Sequence, residues 1–201
     1  MLTIHADSRG HALAVEGAWI AGAGPLDELV AAHARARVRK WPGILTAGLI
    51  NMHGNELLEE AYHPDPREAD ELGTEPLTGD ALAALAMDDA RWGAGARRCV
   101  QRMLAHGTVA ACCEPLRNRA VRDAVHRSGL GVVGRLGRPD GTPALNPYAS
   151  GLPVEFAEPR ERHSAARFAV FDVRDEAELA ERGAGTCVAT VVDGRLVYRR
   201  R

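Results

Sequence analysis

The sequence predicts an α/β protein in which β-rich first and last parts flank a short central block of parallel strand–helix units. Three observations carry this. Between Ile44 and Leu136, strand-length apolar runs alternate with helical spacing in the order strand–helix–strand–helix–strand, the order of parallel β/α units. Short strand-like segments separated by glycine turns fill the first part. Near the end, Asp193-Gly194 separates Thr186–Val192 from Arg195–Tyr198, a two-residue hairpin signal.

The elements divide into residues 1–43, 44–136 and 137–201. In the first part Met1–Ala6 alternates loosely, and Ala12–Glu16 and Ala18–Ala21 flank Gly17 as hairpin arms. Leu26–Ala34 suits a short helix and Arg35–Lys40 a strand, before Trp41-Pro42-Gly43 breaks the chain. In the second part Ile44–Asn51 reads as one buried strand. Polar sequence from His63 to Pro76 reads as loop. Thr78 or Asp80 then caps one long helix whose apolar positions run from Leu82 to Leu104. Gly93 and Gly95 weaken it and Gly107 stops it. Thr108–Cys113 is the second strand, Arg119–Ser128 a helix stopped by Gly129, and Leu130–Arg135 the third strand. In the last part Gly137–Pro153 reads as loop, Arg167–Val173 as strand and Asp175–Arg182 as helix, followed by the hairpin.

A length of 201 residues suits one compact or one small two-part domain, and 26% charged residues suit a soluble protein. With aromatics at only 4%, Ala, Leu and Val must build the core. A formal net charge of -2 gives no footprint for nucleic acid or for an acidic membrane, and the Arg199–Arg201 tail reads as solvated. No apolar run approaches the roughly 18 residues that span a bilayer. His5, Asp7 and Arg9 leave the N-terminus without an apolar targeting segment. Cys99, Cys112, Cys113 and Cys187 form no CxxC, so free thiols in a cytoplasmic protein are expected. Abundant Ala, Arg and Gly with few Lys suits a bacterial chain from a GC-rich genome.

The run Leu45-Thr46-Ala47-Gly48-Leu49-Ile50-Asn51-Met52-His53 resembles the first barrel strand of the amidohydrolases, imidazolonepropionase-like members in particular. In that family a Pro-Gly-Leu-Ile-(Asp or Asn)-x-His-x-His run ends in two metal-binding histidines. His106-Gly107-Thr108-Val109 resembles the entry into the second barrel strand, and Gly131-Val132-Val133 suits the third. Ala165–Asp172 and Val191–Tyr198 resemble the family's closing sandwich strand and hairpin. The resemblance covers most of the chain outside Gly137–Ala165. It implies an amidohydrolase-type composite β-sandwich, with halves at 1–43 and 137–201, plus a shortened β/α barrel remnant of about three parallel strand–helix units.

The chain departs from the family twice. His-x-His has become His53-Gly54-Asn55, and an amide is a poor transition-metal ligand. A full barrel takes about 250 residues and a strand–helix–strand unit about 30. Residues 44–136 therefore hold about three strands, without counterparts of the later strands that carry the family's other ligands.

Parallel-strand folds place their chemistry at the C-terminal strand ends. His53, Glu114 and Asn55 are the catalytic candidates there; Arg135, Glu56, Cys113 and His63 are the substrate-binding candidates. His53 is also the one inherited metal-ligand position, and His63, His106, Cys112, Cys113 or Glu114 would have to complete a rebuilt site. Bland alternatives stand beside each: a carbonyl-satisfied His53, a helix-capping Glu56, cysteines as small hydrophobes, a surface Arg135 and a solvated His63. Asp172 and Asp193 resemble structural turn positions, and the remaining histidines carry no spacing signal.

The expected function is binding of, or metal-free acid/base chemistry on, a small cyclic or nitrogen-containing metabolite. Ring C–N hydrolysis, or a lyase or isomerase reaction derived from it, is implied by the resemblance alone. One alternative is a non-catalytic relative serving as a binding or partner subunit; a second is a metal-dependent C–N hydrolase or deaminase with a rebuilt site. No cofactor is expected under the first reading, and zinc or iron under the last. Three parallel strands leave an open edge and face, so a homodimer with a small-molecule ligand is expected, with no nucleic-acid or membrane partner.

Overall fold

The computed structural model describes residues 1–157 and 162–200. Its strands form three four-stranded sheets. β1 (Leu2–Ala6), β2 (His11–Glu16) and β3 (Trp19–Pro25) form an antiparallel meander. α1 (Leu26–Ala32) returns the chain to β4 (Arg37–Lys40), which pairs parallel to β1. Ile4, Ala6, Ala12 and Ala14 pack beneath Leu29 of α1. Leu13, Val15 and Ile20 enter the opposite core. β2 is therefore buried on both faces.

The expected single strand Ile44–Asn51 is two strands. β5 (Ile44–Ala47) belongs to the C-terminal sandwich sheet, and β6 (Leu49–Asn51) to the parallel sheet. Gly48 makes the transfer. A Cβ there would come within 2.3 Å of Val109, so only glycine lets the two backbones approach.

α2 (Gly54–Leu58) starts directly after the first parallel strand. The expected loop at 63–76 contains a 3-10 turn at Pro66–Glu68, closed by an Asp65–Glu68 capping box, and α3 (Ala69–Leu72). The expected long helix is also two pieces, α4 (Gly79–Ala83) and α5 (Asp89–Ala105). Asp88 starts the second, accepting from Arg91 N at 2.7 Å. Gly93 and Gly95 do not interrupt α5. They sit where neighbours press in, with the Tyr62 ring 3.0 Å from a Cβ built on Gly95. β7 (Thr108–Cys113), α6 (Arg119–Ser128) and β8 (Gly131–Gly134) follow; Asn118 caps α6 and Gly129 ends it in the left-handed conformation.

The chain from Gly137 then crosses the C-terminal ends of the parallel strands to reach β9 (Glu155–Phe156). β9 pairs antiparallel with β6, which gives the sheet order β8-β7-β6-β9. The expected loop is thus a strap across the strand mouths. β10 (Phe168–Phe171), α7 (Glu176–Arg182), β11 (Cys187–Val192) and β12 (Arg195–Arg199) complete the chain, with the second sandwich sheet ordered β12-β11-β10-β5. The final hairpin turns through Asp193 and Gly194 at φ 49° and 72°.

Leu13, Val15 and Ile20 meet Leu45, Phe168, Val170 and Val191 in the sandwich core. On the other side of the second sheet, Ile44, Ala169 and Phe171 pack with Leu49 and Leu179. A third core joins α2, α5 and α6 to Val109, Ala111 and Cys113 of β7. β8 remains an open edge, with Val132 and Val133 exposed to 55% and 40%. Among the described residues no helix is long and apolar enough to cross a membrane.

Candidate functional site

Glu114 and Arg135 follow directly on the C-terminal ends of β7 and β8, and Asn55, the second residue of α2, links them to the end of β6 through its amide. Its Oδ1 accepts from Glu114 N at 2.8 Å and from Arg135 Nη2 at 3.2 Å. Its Nδ2 donates to the Glu114 carbonyl at 3.3 Å and to Glu59 Oε2 at 3.4 Å. α2 can sit this close because Gly54 has no side chain; a Cβ there would lie 2.3 Å from Cys113 Sγ and 2.5 Å from the Cys112 carbonyl.

Arg135 is not a surface arginine. Its side chain is only 10% exposed and that of its partner Glu56 only 3%. Nη2 bridges both Glu56 oxygens at 2.7 and 2.9 Å. Nε and Nη1 are buried and have no hydrogen-bond partner among the described residues. A buried donor left unmade costs about 1–3 kcal/mol, so this guanidinium is under-satisfied. Nor does Glu56 cap the helix: that position is His53, and Glu56 lies inside α2.

The strap brings a second cation. Arg138 Nη2 meets Glu60 at 2.9 Å, and its Nε lies 3.6 Å from Glu56. Gly137 N donates to Glu114 Oε1 at 2.9 Å. Among the described residues Glu114 Oε2 accepts no hydrogen bond. These groups surround a cavity of about 380 Å³ walled by the carboxylates of Glu56, Glu59, Glu60 and Glu114 and the guanidiniums of Arg117, Arg135 and Arg138. Carboxylates and guanidiniums form charge-assisted hydrogen bonds, which are stronger than those between neutral groups.

Three candidates fall outside the cavity. His53 is 1% exposed beneath the strap. Its Nε2 lies 3.0 Å from the Asp140 carbonyl, and its own N–H donates to Asn51 Oδ1. The carbonyl only accepts, so Nε2 carries the proton, and Nδ1 is left buried without a partner among the described residues. Asn51 Nδ2 donates to the Ala144 carbonyl at 2.8 Å and fixes the strap a second time. His63 is buried rather than solvated, with Nε2 3.0 Å from the Leu57 carbonyl. Burial pulls its pKa down to about 4, against the opposing Leu57 contact and with help from Arg102 and Arg98. Cys113 belongs to the helix-side core, and burial pushes its thiol up to about 12. Cys112 is also buried, with its thiol pKa raised by burial.

Sequence reading brought Asn55, Glu56, Glu114 and Arg135 to this place but missed Glu59, Glu60, Arg117 and Arg138. The signal for the first two was present: they follow Asn55 and Glu56 by one helical turn. Arg138 had none, because only the course of the strap brings it here.

Among the described residues no three His, Cys, Asp or Glu side chains converge as ligands. Nε2 of His53 is engaged by a carbonyl, and the amide of Asn55 is used within the strand ends.

No family model matches the chain, and no curated protein matches it. Among solved structures it is similar to an ochratoxinase from A. niger, with 18% identity and a TM-score of 0.46, over 66% of this chain and 31% of that one. A guanine deaminase from Bradyrhizobium japonicum gives 18% identity and a TM-score of 0.41, over 62% of this chain and 27% of that one. An N-isopropylammelide isopropylaminohydrolase from Burkholderia multivorans gives 17% identity and a TM-score of 0.44, over 69% and 40%. The chain thus spans less than half the length of each of these three structures.

Proposed function

We propose that this chain is an amidohydrolase-like protein that binds a small nitrogen-containing molecule in the cavity at the mouths of β7 and β8. The carboxylates and guanidiniums that converge on one cavity carry the reading. Several polar groups converging on one concave site are the usual form of a ligand pocket. Family motifs in family order along the sequence support the chemical class of the ligand. The strap over His53 and the cavity lining support a site on the outer side of the mouth, among Asn55, Glu114 and Arg135.

A second reading adds chemistry. Glu114 is held by one oxygen and has the other free of hydrogen bonds, as a general base requires. In this reading Oε2 takes a proton from a water that attacks a ring carbonyl, and Glu114 returns that proton to the ring nitrogen as the C–N bond of the tetrahedral adduct breaks.

Ligand-observed NMR with a library of cyclic imides, ureido compounds and amino acids tests binding. The control is Glu60→Trp, a rim substitution that fills the cavity. Binding to the parent chain that disappears in this variant is the expected result. Binding by neither protein, or equally by both, overturns the proposal. For the second reading, the turnover number of a hydrolysis found with any hit, measured at saturating substrate, must fall at least 100-fold in Glu114→Gln.

A further inference from the structure

Resting on that reading, we infer that the cavity selects a small zwitterion, a molecule that pairs a carboxylate with a protonated amine. Four carboxylates face three guanidiniums, so the wall carries a formal charge of -1 (3 − 4). A purely anionic ligand is therefore opposed by the summed field.

Most of the wall is already paired. Glu56 holds Arg135, and Arg138 lies between Glu56 and Glu60. Glu59 has no cationic partner among the described residues: it accepts from Asn118 N at 2.7 Å and from Asn55 Nδ2. Glu114 has none either, taking only Gly137 N on one oxygen. Arg117 is exposed, and among the described residues its side chain makes no hydrogen bond or ion pair.

The unmet charges are thus one cation at the rim and two anions deeper in. A ligand carboxylate at Arg117 and a ligand ammonium at Glu114 and Glu59 complete the set. A ligand with only one of these charges leaves the other side unpaired. The about 380 Å³ of space sits at the small end of the roughly 300–1,000 Å³ typical of ligand pockets, which suits a molecule the size of an amino acid.

Three matched probes test the assignment by calorimetry: glutamine, its deaminated analogue glutaramate, and its decarboxylated analogue 4-aminobutanamide. Glutamine is expected to bind at least tenfold more tightly than either singly charged analogue. Arg117→Ala, at an exposed position that the fold does not use, should erase the advantage over 4-aminobutanamide while leaving that probe's affinity within about twofold. Glu114→Gln should erase the advantage over glutaramate. Equal or tighter binding of glutaramate, or an Arg117→Ala variant that still prefers glutamine, overturns the zwitterion assignment. Neutral imides that bind in competition with Glu60→Trp blockage, while glutamine does not bind, sink this inference and leave the binding site standing. Absence of any binding in the cavity removes both.

Discussion

Nε2 of His53 lies 3.0 Å from the carbonyl oxygen of Asp140, a residue 87 positions later in the chain. This bond, with that from Asn51 to Ala144, holds the strap down over the end of β6. Replacing His53 by Ala removes the donor and leaves a void, with an expected loss of about 2–4 kcal/mol of stability. Hydrogen exchange at residues 138–146 should accelerate at the same time. His53→Gln, which keeps a donor, should recover part of both effects. Exchange that stays at the parent rate in His53→Ala would show that the strap is held elsewhere.

The Glu56–Arg135 pair predicts strong non-additivity. Removing one partner strands a buried charge, so Glu56→Leu and Arg135→Met should each cost about 3–5 kcal/mol in urea unfolding. The double variant should lose clearly less than the sum, because neither charge then remains uncompensated. Additive losses would mean that the two side chains do not rely on each other.

Acid should destabilise the fold through two buried histidines. Burial, aided by Arg39, pulls His5 down to about 4, and His63 is likewise lowered to about 4. Trp41 Nε1 donates to His5 Nδ1, a bond that protonation of that nitrogen abolishes. Both pKa values lie below the unfolded value of about 6.5, so the neutral rings favour the folded state. Their contribution is complete above about pH 6.5 and fades as pH falls towards 4, by up to about 3 kcal/mol per ring. His63→Gln should move the acid unfolding midpoint to lower pH. An unchanged or higher midpoint would contradict the assignment.

At Gly48 the chain passes between two sheets with Val109 in van der Waals range. Gly48→Ala should cost about 1–3 kcal/mol through overpacking. Val109→Ala in the same chain should relieve part of that strain, which thermal unfolding of the three variants can measure. A Gly48→Ala chain as stable as the parent would rule out the tight crossing.

The four cysteines are buried and free. Burial raises the pKa of Cys113 to about 12 and that of Cys187 to about 11, so both should resist Ellman's reagent at pH 8 until the chain is unfolded. Rapid native labelling of Cys113 would return it to the list of cavity residues.

The sequence by itself determined the elements whose signals are local. α6 runs over Arg119–Ser128 as its spacing and Gly129 require, and the Asp193-Gly194 hairpin forms where its turn residues stand. The three parallel strands follow from apolar runs separated by helical spacing. Tertiary structure decided what depends on contacts distant in sequence. Ile44–Asn51 is an apolar run with only Thr46 and Asn51 polar, and no pattern within it marks the place where it changes sheets; the close approach of Val109 to Gly48 does. The same holds at the site. Asn55, Glu56, Glu114 and Arg135 could be placed together because each ends a strand or starts the next helix. His53 could not be withdrawn, nor Arg138 added, from sequence, because both follow from the path of a strap whose hold is backbone carbonyls, and every residue type provides those.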